Sequence, residues 1–403
     1  MADMKAALMT LPASGPETGQ WPWFDDEQLA AAARVLRSGR INYWTGSEGK
    51  AFESEFAAYC GVEHGIALSN GTVALDLALK AAGIGAGDEV IVTPRTYMAS
   101  AACVAMAGAR PVFVDVDPRS QNMSASAVGE AVSDRTRAII AVHLAGWPCD
   151  MDALEEIARA NDLLLIEDCA QAHGATWRGR RVGSFGRIAA FSFCQDKIMT
   201  TAGEGGMLLT RDAGIMERVW SLKDHGKNRA KMQQPATGHG FRWVHDSIGT
   251  NGRMTELQAA IGRIQLRRLD EWLTARRRNA AILDRHLGSI AALDVHVPGP
   301  EVGHSYYKYY AFVKPERLKQ GWTRDRILES VNAAGAVCRS GSCSEVYLEK
   351  AFDGTGCRPA GRLPNARRLG ETSLMFEVHP TLNPERVERT AEIVAEVLAE
   401  ASG

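Results

Sequence analysis

Between residues 65 and 210, short apolar runs rich in Val, Ile and Leu alternate with longer stretches whose apolar residues are spaced for helices. The runs at 65–69, 89–93, 111–116, 138–143, 163–167, 188–193 and 207–210 read as strands, with helices at 73–82 and 151–160 among the segments between them. Near-continuous hydrophobicity, in place of strict alternation, marks strands covered on both faces, so the pattern predicts a mainly parallel sheet flanked by helices. From residue 255 the pattern changes to a long amphipathic helix reaching 287, with Thr255 at its polar start. A strand over 306–313, a helix over 324–334 and a final amphipathic helix over 384–400 then describe a smaller unit. The predicted class is α/β: a large domain with a mainly parallel mixed sheet, plus a small C-terminal α+β domain. The expected division is an N-terminal segment at 1–30, a large domain at 31–255, a bridging helix at 256–287 and the small domain at 288–403.

Composition narrows this picture without changing it. The 403 residues suffice for two cores, and 45% hydrophobic with 23% charged residues is ordinary for a globular chain. A net charge of -2 carries no nucleic-acid footprint, and the arginines at 267, 268 and 276–278 are interleaved with Asp270 and Glu271, which reads as a solvated helix face. The eight cysteines show no Cys-x-x-Cys pair and several lie in apolar runs, so buried reduced thiols are expected, with no metal site. No apolar stretch is long enough to span a membrane, and the first ten residues lack a cleavable signal pattern, so the cytoplasm is the expected location.

Candidate chemistry begins at Lys197, between the run ending Phe193-Cys194-Gln195-Asp196 and the glycine-rich Gly203-Glu204-Gly205-Gly206. A lysine amine whose pKa is lowered by burial or a nearby cation condenses with aldehydes; alone, the same residue reads more readily as a surface lysine. Asn70-Gly71-Thr72 joins a strand to a helix, where free amides and the helix dipole form a phosphate seat or simply an ordinary cap. Asp168 ends a buried strand, the position where open α/β sheets carry functional groups. Tyr97, also past a strand end, suits stacking on a flat ring or packing in a half-buried core, and Ser192 offers a hydroxyl.

The whole set resembles the DegT/DnrJ/EryC1/StrS sugar aminotransferases from about residue 39 to 379. The resemblance is carried by Ser69-Asn70-Gly71-Thr72, Gly87-Asp88-Glu89, Pro111-Val112-Phe113-Val114-Asp115, Val142-His143-Leu144, Glu167-Asp168 with Gln171 and His173-Gly174, Ser192-Phe193 with Lys197, Gly203-Glu204-Gly205-Gly206, and Asn251 with Arg253-Met254 and Gln258. It departs from the usual pattern at Cys194-Gln195-Asp196 and at Ala202, an extra residue before Gly203.

This resemblance implies fold type I of the pyridoxal 5'-phosphate-dependent transferases and pyridoxal phosphate as cofactor. Lys197 is then the lysine that binds the cofactor covalently, Asp168 pairs with the pyridine nitrogen, and Gln171 lies near the phenolic oxygen. Gly71, Thr72 and Ser192 hold the phosphate, and Tyr97 stacks on the ring. Asn251 reaches the phosphate of the neighbouring subunit, which implies a homodimer with composite active sites, and the aromatic N-terminal segment around Trp21 is expected to pack at that interface. The implied reaction moves an amino group, with glutamate as donor, to a keto sugar, most often a nucleotide-linked 4-keto-6-deoxy sugar. Lys227 and Arg229 are candidates for a diphosphate, though a solvated loop explains them as well, and His304 and Tyr306 are candidates for sugar hydroxyls. Lys197 opposes the related pyridoxamine-dependent dehydratases, which carry histidine in its place. A cyclitol ketone or a sugar phosphate as acceptor, and a non-catalytic regulatory protein on the same scaffold, are the other readings.

Overall fold

In the computed structural model, which describes residues 19–235 and 240–402, the seven apolar runs become one sheet. The chain begins with helices α1 (Asp26–Ser38) and α2 (Glu48–Cys60), then β1 (His64–Leu68), α3 (Gly71–Ala81), β2 (Glu89–Val92), α4 (Ala99–Met106) and β3 (Arg110–Phe113). It continues through α5 (Ala125–Ala131), β4 (Thr136–Val142), α6 (Met151–Ala160), β5 (Leu164–Asp168), the short strands β6 (Thr176–Trp177) and β7 (Arg180–Arg181), β8 (Ile188–Ser192) and β9 (Gly206–Thr210). Helices α7 (Ala213–Lys223), α8 (Arg229–Gln233) and α9 (Glu256–Leu287) follow. The C-terminal part contains β10 (Leu293–Asp294), β11 (Val302–Gly303), β12 (Tyr309–Val313), α10 (Arg324–Ala333), α11 (Pro364–Thr372), β13 (Ser373–Phe376) and α12 (Pro384–Ala401).

The large sheet has the order β1-β9-β8-β5-β4-β2-β3. Strand β9 pairs antiparallel with both neighbours, and the remaining strands run parallel with one another. Helical crossovers return the chain for parallel pairing, whereas the β8–β9 link has no helix and reverses direction. One edge of the sheet therefore gathers the carboxyl ends of β1, β2, β4, β5 and β8 with the start of β9, which is where such sheets bind ligands.

Apolar residues fill both faces as the runs require. Ile66, Leu68, Val90, Val92 and Ile140 pack under α3, α4 and α7, while Phe191, Met207 and Leu209 pack on the opposite face against Phe52 and Phe56 of α2 and the first half of α9. Helix α9 opens with a capping box, Thr255 and Gln258 satisfying each other's backbone amides, and its second half joins the C-terminal core through Ile282, Leu283 and Leu287. Strands β10, β12 and β13 form the antiparallel sheet of that core. The chain then returns to the large sheet: Tyr347 and Phe352 meet Phe113 at ring-centroid distances of 5.5 and 5.6 Å.

One detail differs from the sequence-based expectation. Arg267 and Arg268 are surface ion pairs with α1 carboxylates, but Arg276 is fully buried, its Nη1 donating to the carbonyls of Tyr306 and Tyr307 with its guanidinium over the Trp21 ring. Acceptors on the chain that crosses α9 make that burial tolerable. Trp21 itself packs within its own chain, edge-on to Trp272, and donates Nε1 to the Lys197 carbonyl at 2.8 Å. Residues 1–18 of the expected N-terminal segment lie outside the described residues. No helix among the described residues is long and apolar enough to cross a membrane.

Candidate active site

A cleft of about 750 Å³ opens at the carboxyl edge of the sheet, and Gly71, Thr72, Tyr97, Asp168, Gln171, Ser192 and Lys197 all line it. These seven residues come from four separate strand ends, so only the sheet brings them together.

The floor is the start of α3. Asn70 caps the helix by accepting from the Val73 amide at 2.8 Å, which leaves the first-turn amides of Gly71 and Thr72 without intrahelical partners. Gly71 is required by packing: a Cβ there would stand 2.7 Å from the Ser192 Cβ and 3.2 Å from the Phe191 carbonyl oxygen. The helix terminus is thereby pressed against the end of β8, with the Ser192 hydroxyl beside it.

Asp168 is buried at the end of β5, with each carboxylate oxygen already directed. Oδ2 accepts from the Ser100 hydroxyl at 2.7 Å, Ser100 lies 2.8 Å from the Thr96 hydroxyl, and Oδ1 accepts from the Ala170 amide at 3.1 Å. Sequence reasoning missed Thr96 and Ser100. Thr96 lies in the bend before α4 and Ser100 in its first turn, and only the fold brings this pair against the end of β5.

Gln171 accepts from the Ala145 amide at 2.8 Å. Tyr97 stands at the mouth with 72% of its surface exposed.

Lys197 lies in the loop between β8 and β9, its Nζ 4.9 Å from the centroid of the Tyr307 ring. The Tyr307 hydroxyl donates to Asp196. Burial works to raise the Asp196 pKa, but the Lys197 charge, the Tyr307 hydrogen bond and Lys308 outweigh it and hold the carboxyl below its ordinary range. The Tyr307 phenol is pushed well above its usual value by burial and by Asp196. The extra residue Ala202 is absorbed by a left-handed turn, with φ of 62° followed by 109° at Gly203.

Behind the lysine, His173 is buried between Phe191 and Phe193, and burial, with Lys197 adding to it, pushes its pKa down to about 3. Further along the edge, His143 Nδ1 accepts from the Cys149 amide, so Nε2 carries the proton and donates to Glu167 at 3.1 Å. Glu167 also accepts from the amides of Gly183, Phe185 and Gly186. Although Cys169 lies within reach of both, these commitments make the trio a brace for the ends of β4 and β5.

The other expected residues lie outside the cleft. Lys227 pairs with Asp224 at 3.0 Å and covers the Trp44 ring, and Arg229 pairs with Glu217 at 2.8 Å. His304 is buried and stacked on Tyr306, with centroids 3.9 Å apart, and burial pushes its pKa down to about 3. Asn251 is exposed, bridged through its backbone to Asp224.

Comparison with known proteins bears on what this cleft does. Residues 22–395 match the DegT/DnrJ/EryC1/StrS aminotransferase family. The chain is 37% identical over 370 residues to the dTDP-3-amino-3,4,6-trideoxy-alpha-D-glucose transaminase of Streptomyces venezuelae, covering 92% of each protein. It is 44% identical over 305 residues to the GDP-perosamine synthase of Caulobacter vibrioides, covering 73% of this chain and 77% of that one. The crystal structure of an aminotransferase from Psychrobacter cryohalolentis superposes with a TM-score of 0.92 at 49% identity, over 95% of this chain and 99% of that chain.

Proposed function

Since this chain belongs to the DegT/DnrJ/EryC1/StrS aminotransferase family, we propose that it transfers an amino group from L-glutamate to a keto sugar carried on a nucleotide, with pyridoxal phosphate as cofactor. The observation that carries this reading is the meeting of Lys197, Asp168 and the amide-bearing start of α3 in one cleft.

The residues present suit the cofactor. An anionic phosphate matches the α3 amides, the Thr72 and Ser192 hydroxyls and the side-chain-free Gly71, while the buried Asp168 carboxylate suits a protonated ring nitrogen. When bound, pyridoxal phosphate supplies an aldehyde that condenses with amines and a ring that accepts an electron pair. Asp168, held by Ser100 and Ala170, keeps the ring nitrogen protonated, and Gln171 and Tyr97 are the candidates to orient the ring. Lys197 acts twice: its Nζ holds the cofactor, then removes the proton from the donor's α-carbon and in the second half reaction delivers one to the former carbonyl carbon of the acceptor. Ping-pong kinetics follow.

The nucleotide-linked acceptor is supported by the S. venezuelae and C. vibrioides relatives, whose names specify dTDP- and GDP-linked sugars. The test is amine transfer from L-glutamate to a panel of dTDP-, GDP- and UDP-linked keto sugars, followed by mass spectrometry of the product. Transfer to one or more is expected; transfer only to free cyclitol ketones or sugar phosphates would reject the nucleotide-linked acceptor.

A further inference from the structure

A second cavity, of about 860 Å³, adjoins the Lys197 cleft, and Asp196 lines both. Its walls are the segment around Trp21, helix α1, the loop on both sides of Lys197, and one edge of the β10-β12-β13 sheet. That edge concentrates charge. Lys308 immediately precedes β12, Glu377 immediately follows β13, and Arg339 pairs with Met375 of β13.

The acidic groups here are already engaged. Glu377 lies 3.5 Å from His379 and 3.8 Å from Arg339, and its pKa is held down to about 2, chiefly by the His379 hydrogen bond. Asp196 accepts from Tyr307. Lys308 is different. It is half-buried, its ammonium forms no salt bridge among the described residues, and it lies 5.0 Å from the centroid of the Tyr307 ring. Burial lowers its pKa, while Glu377 and Asp196 act in the opposite sense from a distance. A desolvated ammonium facing a cavity gains most from a ligand anion, because a charge-assisted hydrogen bond replaces the hydration it has lost.

We propose that this cavity is a binding site for an organic carboxylate, seated on Lys308 Nζ beside the Lys197 cleft. The proposal rests on the aminotransferase reading of that cleft and supplies what it lacks, a cation placed to take a substrate carboxylate. Trp21, Ile261 and Val337 give the same cavity apolar wall for a carbon chain. An amino-acid donor and an acidic sugar acceptor share this chemistry, and the test separates them.

Calorimetry would compare the binding of glutarate and of D-glucuronate to the cofactor-loaded enzyme and to its Lys308→Met and Lys308→Arg variants, with melting temperature as the folding control. Glutarate affinity should fall by about tenfold or more in Lys308→Met and largely return in Lys308→Arg, since one charge-assisted contact is at stake. A loss confined to D-glucuronate also supports the site and assigns it to an acidic acceptor. Unchanged affinity for both ligands, or no binding of either to the unmodified enzyme, overturns the proposal. If Lys308→Met fails to fold, Lys308→Gln is read by the same criteria. Lys308-dependent glutarate binding by an enzyme that transfers no amine would sink the aminotransferase reading and leave the cavity standing; amine transfer with an unchanged glutamate KM and unchanged glutarate binding in Lys308→Met would do the reverse.

Discussion

His173 shows how much a single side chain can be decided by what surrounds it. Neither ring nitrogen has a hydrogen-bond partner; the Ser192 backbone is near enough to offset a little of the pKa shift without meeting hydrogen-bond geometry. The folded chain therefore keeps this imidazole neutral down to about pH 3, while the unfolded chain protonates it below about 6.5. Because the unfolded state then binds more protons, stability falls as pH falls through that window, by about 1.4 kcal/mol per pH unit for this one group. Replacing His173 with Phe removes the titration, and any overpacking it causes is independent of pH. Urea unfolding at pH 7 and pH 5 should show the loss of stability shrinking by about 2 kcal/mol in the variant; an identical loss in both proteins would show that His173 does not titrate as described. At this scale Lys197 and Asp168 stand out in the sequence as candidates through the set of motifs they belong to, whereas Asp196, Tyr307, Ser100 and Thr96 acquire meaning only from contacts across the fold.

At the scale of elements, the start of α3 is the feature on which the cleft depends. The apolar pattern predicts a helix from residue 73, and the Asn70 cap moves its start to Gly71, so the free amides lie two residues earlier than periodicity alone places them. Gly71→Ala would force the helix and the end of β8 apart, a clash of about 1–3 kcal/mol if relieved by backbone movement. The variant should keep its fold and lose about tenfold or more in pyridoxal phosphate affinity, measured by equilibrium titration of the cofactor-free protein, since that clash falls on the proposed phosphate seat. Unaltered affinity would remove the α3 terminus from the site. Other boundaries shifted for equally local reasons: the strand expected from 306 begins at Tyr309 because Tyr306 takes a left-handed conformation, with φ of 47°, that a strand cannot contain. Helix α8 and the β6–β7 hairpin were not legible, being too short to establish a period.

For the whole molecule, we propose that active sites are shared between two subunits. The observation behind this is that Asn251 is exposed and stands apart from its own cleft, on a surface that also exposes Phe241, Trp243 and Ile248 within the preceding ten residues. Mixing inactive Lys197→Ala subunits with impaired Asn251→Ala subunits should then yield heterodimers with one doubly damaged and one intact site, and activity above both parents. Heterodimers that form without regaining activity would confine Asn251 to its own subunit. The sequence by itself determined the α/β class, the order of the strands along the chain and the family, and it singled out Lys197 and Asp168 as candidates, because burial of a parallel sheet and cofactor chemistry each leave short-range patterns. It did not determine which charges meet. Arg276, on a helix face that the sequence marks as solvated, is buried, Lys227 and Arg229 pair with Asp224 and Glu217, and Lys308 faces a cavity beside the lysine. A charged side chain carries no periodic signature of its partner; whether it is neutralised, desolvated or left facing a cavity depends on residues up to hundreds of positions away, and only the packed chain brings them within reach.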